Sequence, residues 1–359
     1  MKDQRIIDVI PELYKKFLPS FFKTRIPMET AATCDDCAMW MGPEDGDSSD
    51  LFFSRNTKCC TYYPNLPNYH VGALLSTSSP VLLEGQNRVR KVIRSRVGVT
   101  PYGLQRPRKY ALLNKNALHA FGRSKSLLCP FYEQNYGKCT VWHHRYSRCS
   151  TWFCKYSAGE DGKAFWTVFF KYLVYIEDVL VQYTLYKMGW EPGNIISPHS
   201  LEGSLTSQEI EGKPLVRKEY QKLWKDWKER EEDFYVETYR LVSEISPNIF
   251  EKISGITQKI LLVELQSKCQ SILNPQLPSS LKRNPKLIVN KTNRGTYFLI
   301  GYSGSDPVEV SKRIYDILDF FDGWRSNKEA IRLIRQQMHT EPSQSLLIQL
   351  YRFRILVEP

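Results

Sequence analysis

Eight of the nine cysteines in this chain lie within its first 154 residues, in two groups of four. The first group is a C-x-x-C pair followed by an adjacent pair, and the second is spread through a stretch rich in aromatic and basic residues: Cys34, Cys37, Cys59 and Cys60, then Cys129, Cys139, Cys149 and Cys154. A structural zinc ion or an iron–sulfur cluster needs soft thiolates that converge on one small volume. The pattern therefore predicts a metal or cluster site more firmly than it predicts a reaction.

The spacing of these cysteines bears on how they divide between centres. A C-x-x-C supplies two ligands from one turn, so Cys34 and Cys37 are expected to share a centre. Adjacent side chains on an extended backbone point to opposite faces, so Cys59 and Cys60 would serve two centres unless a turn intervenes. Two alternatives stay open: buried cysteines that pack as small apolar side chains, and a disulfide scaffold.

The length and composition of the chain limit its class. A chain of 359 residues with 42% hydrophobic residues can form two or three domains with sizeable cores. Its first residues contain no uninterrupted apolar segment of the signal-peptide type, and no apolar run is long enough to span a bilayer. We therefore predict a cytoplasmic protein without a membrane partner, in a compartment where clustered cysteines bind metal more often than they form disulfides.

The net charge of +12 is concentrated in one segment. No acidic residue occurs between positions 88 and 125, whereas the segment contains eleven basic ones: Arg88, Arg90, Lys91, Arg94, Arg96, Arg106, Arg108, Lys109, Lys115, Arg123 and Lys125. Such a run forms either a solvated face or a patch for a polyanion such as nucleic acid. Both interpretations stay open on the sequence.

Periodicity and turn signals predict a mixed, mainly α fold. It would contain a loop-rich cysteine-cluster domain, long helices, and a C-terminal β-hairpin plus winged-helix-like unit. We predict three domains: a metal-binding domain over 1–160 with a basic insertion at 88–125, a helical domain over 163–275 that packs on it, and a winged-helix domain over 286–359.

Several elements are specific enough to be tested. We predict two long helices, the second carrying an aromatic stripe that packs in a core: Lys163–Met188 and Arg217–Ser246. In the C-terminal region we predict a hairpin followed by three helices: Lys286–Tyr302, then Pro307–Phe321, Ser326–Met338 and Ser343–Phe353.

The later cysteines also occur in a recognisable context. The later motifs are the C-P of Cys129-Pro130, the G-x-C of Gly137-Lys138-Cys139 and the segment Arg145-Tyr146-Ser147-Arg148-Cys149. Together with the upstream C-x-x-C and C-C, they resemble the YkgJ-like zinc- or iron-chelating cysteine-cluster family. The resemblance covers about a third of the chain. The resemblance implies metal binding but no particular activity, because only one branch related to that family is associated with flagellin lysine methylation. The ligands it implies are Cys34, Cys37, Cys59, Cys60, Cys129, Cys139 and Cys149, with Cys154 as an eighth.

The C-terminal region resembles a second family. The segment 310–331, in which Asp322-Gly323-Trp324-Arg325-Ser326 joins two helices, is similar to the PqqD-like winged-helix fold. The resemblance implies that 286–359 recruits a peptide or protein partner, which would add a strand to an exposed sheet edge. A plain helical packing domain is the alternative.

Two functions are compatible with these features. In the first, one or two thiolate-ligated centres, for which we favour 4Fe–4S iron–sulfur clusters over zinc, serve redox or cluster-dependent modification of a peptide or protein. In the second, a non-enzymatic zinc-binding module presents its basic segment 88–125 to nucleic acid or another polyanion. His143 and His144 are expected to donate hydrogen bonds to the ligands or to lie on the surface rather than to coordinate metal. The chain contains no nucleophile-elbow, P-loop or dinucleotide-binding motif, so the sequence assigns no reaction and leaves open whether the protein is an enzyme.

Overall fold

The computed structural model describes residues 7, 10–23, 37–39, 53, 54, 56–191 and 206–359. The chain forms two compact units. The thiol unit comprises Met1–Met28, Trp40–Trp152 and Phe170–Ile260, and the C-terminal unit comprises Glu29–Met39, Phe153–Phe169 and Leu261–Pro359. The three-domain division stays a prediction about which parts fold independently.

Helices dominate the described residues, which confirms the predicted mixed, mainly α fold. In chain order they are α1 Glu12–Lys15, α2 Asn68–Ser76, α3 Leu83–Ser95, α4 Arg108–Asn116, α5 Ser147–Thr151, α6 Gly159–Lys187, α7 Ser207–Glu211, α8 Arg217–Trp224, α9 Glu231–Ser243, α10 Pro247–Leu273, α11 Lys312–Ile317, α12 Asn327–Met338 and α13 Gln344–Arg352. None of the helices in the described part of the chain combines the length and the apolar character needed to cross a bilayer.

The strands are short and pair antiparallel in four small sheets, ordered β1-β3-β2, β4-β5, β10-β6 and β7-β8-β9. They are β1 Leu66–Pro67, β2 Val99–Thr100, β3 Gly103–Leu104, β4 Tyr132–Glu133, β5 Lys138–Cys139, β6 Lys282–Arg283, β7 Ile288–Lys291, β8 Tyr297–Ile300, β9 Val308–Val310 and β10 Leu356–Val357.

Helix α2 lies at the centre of the thiol unit. Its first seven residues, from Asn68 to Leu74, are all buried, as expected of a helix that is surrounded by protein. It crosses α9 so closely that a Cβ on Gly72 would lie 1.9 Å from the carbonyl oxygen of Tyr235. Only glycine permits this approach of two backbones, so Gly72 fixes the position of α2.

The predicted helix over 163–188 is confirmed as α6, which begins four residues earlier and is followed by Gly189 at a φ of 86°. The single helix predicted over 217–246 is wrong. The chain forms α8, a 3-10 turn over Lys225–Trp227, and α9, with positive φ at Lys225 and Glu229.

The aromatic residues of this region explain the break. The Tyr220 hydroxyl accepts a hydrogen bond from the Glu229 backbone N–H at 2.8 Å and also bonds the carboxylate of Glu231. The break also lets Trp224 and Trp227 both contact the ring of Phe234, with ring centroids 5.4 and 5.5 Å apart. The aromatic stripe therefore packs in a core as predicted, but in a bent arrangement.

The C-terminal unit contains the predicted hairpin as β7 and β8, which pair from Ile288 opposite Ile300 to Lys291 opposite Tyr297. The helix predicted over 307–321 begins later, because β9 occupies Val308–Val310 before α11. The other two predicted helices are confirmed as α12 and α13. One apolar core, built entirely from residues between 277 and 356, joins the sheet to the three helices.

Candidate metal centre

Cys59 and Cys60 lie in a tight turn. The Cys60 N–H donates to the Thr57 carbonyl at 3.0 Å. The turn is attached to Gly122, whose carbonyl accepts from the Thr57 hydroxyl at 2.5 Å and whose N–H donates to the Thr61 hydroxyl at 2.7 Å. The side chains of Cys59 and Cys60 hydrogen-bond to each other. A turn therefore does intervene, and these adjacent thiols meet instead of diverging.

A backbone hydrogen bond brings Cys129 to this turn. The Cys129 N–H donates to the Cys60 carbonyl at 2.7 Å, although the two residues are far apart in sequence. The chain then turns, with the Tyr132 N–H donating to the Cys129 carbonyl at 3.1 Å, and enters β4. Tyr132 pairs with Cys139 across β4 and β5, so the hairpin returns Cys139 to the neighbourhood of Cys129.

Cys149 is positioned by the short helix α5. The helix begins at Ser147, whose N–H and hydroxyl both donate to Oε1 of Glu177, at 3.1 and 2.6 Å. Glu177 lies in the part of α6 that belongs to the thiol unit and is buried. Its side chain satisfies a backbone donor at a helix N-terminus that has no intrahelical partner. The attachment of α5 to Glu177 therefore fixes where Cys149 lies.

These thiols influence one another electrostatically. The hydrogen bond with Cys59 lowers the pKa of Cys60, but burial and the neighbouring Cys129, Cys139 and Cys149 raise it by more. Burial raises the pKa of Cys129 well above its ordinary value, and Cys139 and Cys149 raise it further. Each added thiolate disfavours the next, whereas a bound cation would favour all of them. The five cysteines of the thiol unit therefore form one neighbourhood, which we call the thiol cluster.

The donor set of the thiol cluster suits a soft metal or an iron–sulfur cluster, since all five side chains are half-buried thiols. Among the described residues, no three Cys, His, Asp or Glu side chains stand at metal-binding geometry. Of the other predicted ligands, Cys34 lies outside the described residues, and Cys37 and Cys154 are half-buried residues of the C-terminal unit. The eight-ligand set stays a prediction.

Glu177 belongs to a buried polar network that was not predicted from the sequence. The Tyr14 hydroxyl donates to Glu177 Oε1 at 2.9 Å and contacts the Tyr69 hydroxyl at 3.0 Å and His70 Nε2 at 2.6 Å. Burial raises the pKa of Glu177 to about 8, although hydrogen bonds from Ser147 and Tyr14 oppose the shift. The available signal was spacing: Glu177 lies four residues after Leu173 and three before Leu180, on the buried face of α6, where an acidic residue requires buried polar partners.

Two histidines meet at the edge of this network. The rings of His70 and His144 lie 5.7 Å apart, and in the described part of the chain neither buried Nδ1 atom has a hydrogen-bond partner. Burial lowers both pKa values, that of His144 to about 4, so both rings are neutral near pH 7. His143 is exposed.

Part of the basic segment is engaged within the thiol unit. Four of its arginines form ion pairs with acidic residues: Arg88 with Glu84 at 2.6 Å, Arg90 with Glu232 at 3.2 Å, Arg96 with Glu229 at 3.9 Å and Arg108 with Glu209 at 3.1 Å. Glu232 lies on α9, Glu229 in the loop before α9, and Glu209 on α7. These side chains attach the segment to its own unit. A polyanion partner of 88–125 stays a prediction.

Comparison with known proteins adds no relative. No protein-family model matches the chain, no curated protein matches it, and no solved structure matches it. The resemblances to the YkgJ-like and PqqD-like families therefore stay predictions.

Proposed function

We propose that this protein binds metal through its thiol cluster, holds an iron–sulfur centre there, and acts in the cytoplasm in redox or cluster-dependent modification of a peptide or protein. One observation supports the proposal: Cys59, Cys60, Cys129, Cys139 and Cys149 come from four separate stretches and form a single neighbourhood. Apolar packing alone does not bring five thiols together from separate segments, whereas a metal centre requires it.

The residues of the chain would hold and orient such a centre. The hydrogen bonds of the Cys59–Cys60 turn and of the β4–β5 hairpin fix the backbone of three ligand-bearing segments, and Glu177 fixes the fourth through α5. A bound iron–sulfur cluster would supply one-electron transfer or an open iron position for a substrate.

The proposed partner is a peptide that binds the C-terminal unit. β7 is an outer strand of its three-stranded sheet and, among the described strands, pairs with β8 alone. Such an edge can accept an added strand through backbone hydrogen bonds. Hydrogen exchange of the β7 amides should slow when a substrate peptide is added, and unchanged exchange along β7 would count against this partner site.

The test of the metal proposal is anaerobic purification with iron, zinc and acid-labile sulfide analysis. We expect a brown protein that contains iron and sulfide, and loss of both from C139S and C149S. C269S is the matched control, because Cys269 lies in α10 outside the thiol cluster and its replacement should leave the metal content unchanged. A colourless protein with stoichiometric zinc would favour the zinc-binding module, and a protein without metal would reject both functions.

A further inference from the structure

The two outer strands of the three-stranded sheet in the C-terminal unit differ in charge. β7 lies in a stretch, residues 265–305, that contains no acidic residue but has six basic ones: Lys268, Lys282, Arg283, Lys286, Lys291 and Arg294. β9 instead carries Glu309, whose carboxylate accepts from the Thr296 hydroxyl at 2.5 Å, and it follows Asp306. A partner strand beside β7 therefore meets positive charge, and one beside β9 meets negative charge.

Three of these cations lie along β7. Lys286 precedes the strand, Lys291 is its last residue and Arg294 lies in the turn that follows, and all three side chains are exposed. No carboxylate of the described residues lies within ion-pair distance of any of the three, whereas Arg283 of the same stretch is paired with Asp319 at 2.7 Å. The positive charge along β7 is therefore available to a partner.

The backbone of β7 is open on the side away from β8. The Thr292 N–H donates to the Thr296 carbonyl at 2.9 Å, which makes these two residues a hydrogen-bonded pair at the turn. Bonded and non-bonded pairs alternate along antiparallel strands, so Asn290 bonds β8, whereas the N–H and C=O groups of Val289 and Lys291 point to the open edge. An extended peptide can therefore bond the edge of β7 at two residues.

We propose that β7 binds an extended acidic segment of a peptide or protein, which adds a strand to the sheet. The inference rests on the proposed function, whose peptide partner it assigns to a chemical class. A carboxylate of the added strand opposite Lys291 is attracted to the Lys291 ammonium. Ile288 is 56% exposed and favours an apolar side chain opposite it, three positions along the added strand. A segment that alternates acidic and apolar residues meets both requirements.

Three fluorescein-labelled heptapeptides test the class of partner on the full-length chain. Each alternates valine with a second residue, which is glutamate, glutamine or lysine, so that the three probes differ mainly in charge. Affinity is measured by fluorescence anisotropy at low salt, and the site of binding by residue-resolved hydrogen exchange. The same measurements are made on K291E and on K115E, which reverses an exposed charge on α4 of the thiol unit.

We expect the glutamate peptide to bind the wild type about tenfold more tightly than the glutamine peptide, and to slow exchange of the Val289 and Lys291 amides. K291E should weaken the glutamate peptide about tenfold and should strengthen the lysine peptide. An unfolded variant would not gain affinity in this way. K115E should leave all three affinities unchanged.

Three results would overturn the inference. Equal affinity of the three peptides, with slowed exchange along β7, rejects the acidic class but leaves the peptide partner of the proposed function in place. Weakening of the glutamate peptide by K115E and not by K291E assigns the acidic segment to the basic segment 88–125. Unchanged exchange along β7 with every peptide rejects the inference and the partner site together. Iron and sulfide content of the same samples tests the metal proposal separately.

Discussion

The helices of the C-terminal unit and those around the thiol cluster begin in different ways. In the C-terminal unit, the serine before each of α11, α12 and α13 accepts a hydrogen bond from the backbone N–H three residues later: Ser311, Ser326 and Ser343. In the thiol unit, α2, α3, α4 and α5 begin without a side-chain cap. Local sequence therefore starts α11, α12 and α13, and also α7, which Thr206 caps, but it does not start α2, α3, α4 or α5.

The thiol unit is held together instead by contacts between distant residues. Thr57 bonds Gly122 across 65 positions, and Ser147 bonds Glu177 across 30. The core of the C-terminal unit, by contrast, is drawn from one continuous stretch between 277 and 356. Closing long loops costs conformational entropy, which a metal centre offsets by tying the segments together. The stability of the thiol unit should therefore depend on the proposed metal, and the stability of the C-terminal unit should not.

Replacement of one thiol of the thiol cluster should strongly destabilise the thiol unit. We expect C149S to lower the free energy of unfolding of the thiol unit by about 5 kcal/mol, because a serine oxygen is a poor substitute for a thiolate and the proposed metal would contribute to folding. The measurement is anaerobic denaturant unfolding followed by tryptophan fluorescence, with C269S as the matched substitution. An unchanged unfolding midpoint with full metal content in C149S would remove the contrast between the two units.

The same contrast explains what the sequence could predict. The helix predicted over 326–338 appears as Asn327–Met338, because the Ser326 cap and an apolar stripe are local signals. The helix predicted over 217–246 is wrong, because the Tyr220 hydroxyl makes hydrogen bonds that interrupt it, and residue patterns do not encode such bonds.

The candidate site also has features that the sequence predicts and features that it does not. Composition and spacing predict that thiols come together, because cysteine is a rare residue and eight of the nine lie in two groups. The support that Glu177 gives to α5, and the contact between Cys60 and Cys129, join positions that no local pattern relates. The gathering of these thiols was therefore predictable from the sequence, whereas the scaffold that positions them was not.

A second prediction concerns the independence of the C-terminal core. The fragment 277–359 should unfold cooperatively on its own, because every residue of the core lies within it. In this fragment L318A should cost about 2–5 kcal/mol, since Leu318 is fully buried and its truncation leaves a cavity. The matched control is I288A, because Ile288 is 56% exposed and should cost far less. A non-cooperative transition of the fragment would show that its core needs the rest of the chain.

A third prediction uses the raised pKa of Glu177. The folded protein keeps the carboxyl proton up to about pH 8, whereas the unfolded chain releases it near the ordinary value of 4.5. The stabilisation is fully present below the unfolded pKa and is lost as the pH rises through the folded pKa. The free energy of unfolding should therefore fall with rising pH by up to about 1.4 kcal/mol per pH unit.

Between pH 6.5 and about 8, the effect of Glu177 on the free energy of unfolding can be measured without a contribution from His70 and His144. Below 6.5 the lowered pKa values of His70 and His144 act in the opposite direction, because the unfolded chain then binds protons that the folded one does not. E177Q should remove the slope within the window while keeping a carbonyl oxygen to accept from Ser147. An identical slope in the wild type and in E177Q would assign the pH dependence to another group.

Removal of the serine cap of α12 should change stability only slightly. The Ser326 hydroxyl accepts from the Glu329 N–H at 3.2 Å and so satisfies one of the four N–H groups that α12 leaves without an intrahelical partner. S326A should cost the fragment 277–359 about 1 kcal/mol, whereas S326G should cost only about a few tenths of that amount. In the thiol unit no such local change exists for α2, whose first turn follows Pro67 without a side-chain acceptor. Equal melting temperatures of the fragment and its S326A variant would mean that tertiary packing, and not the local cap, fixes where the C-terminal helices begin.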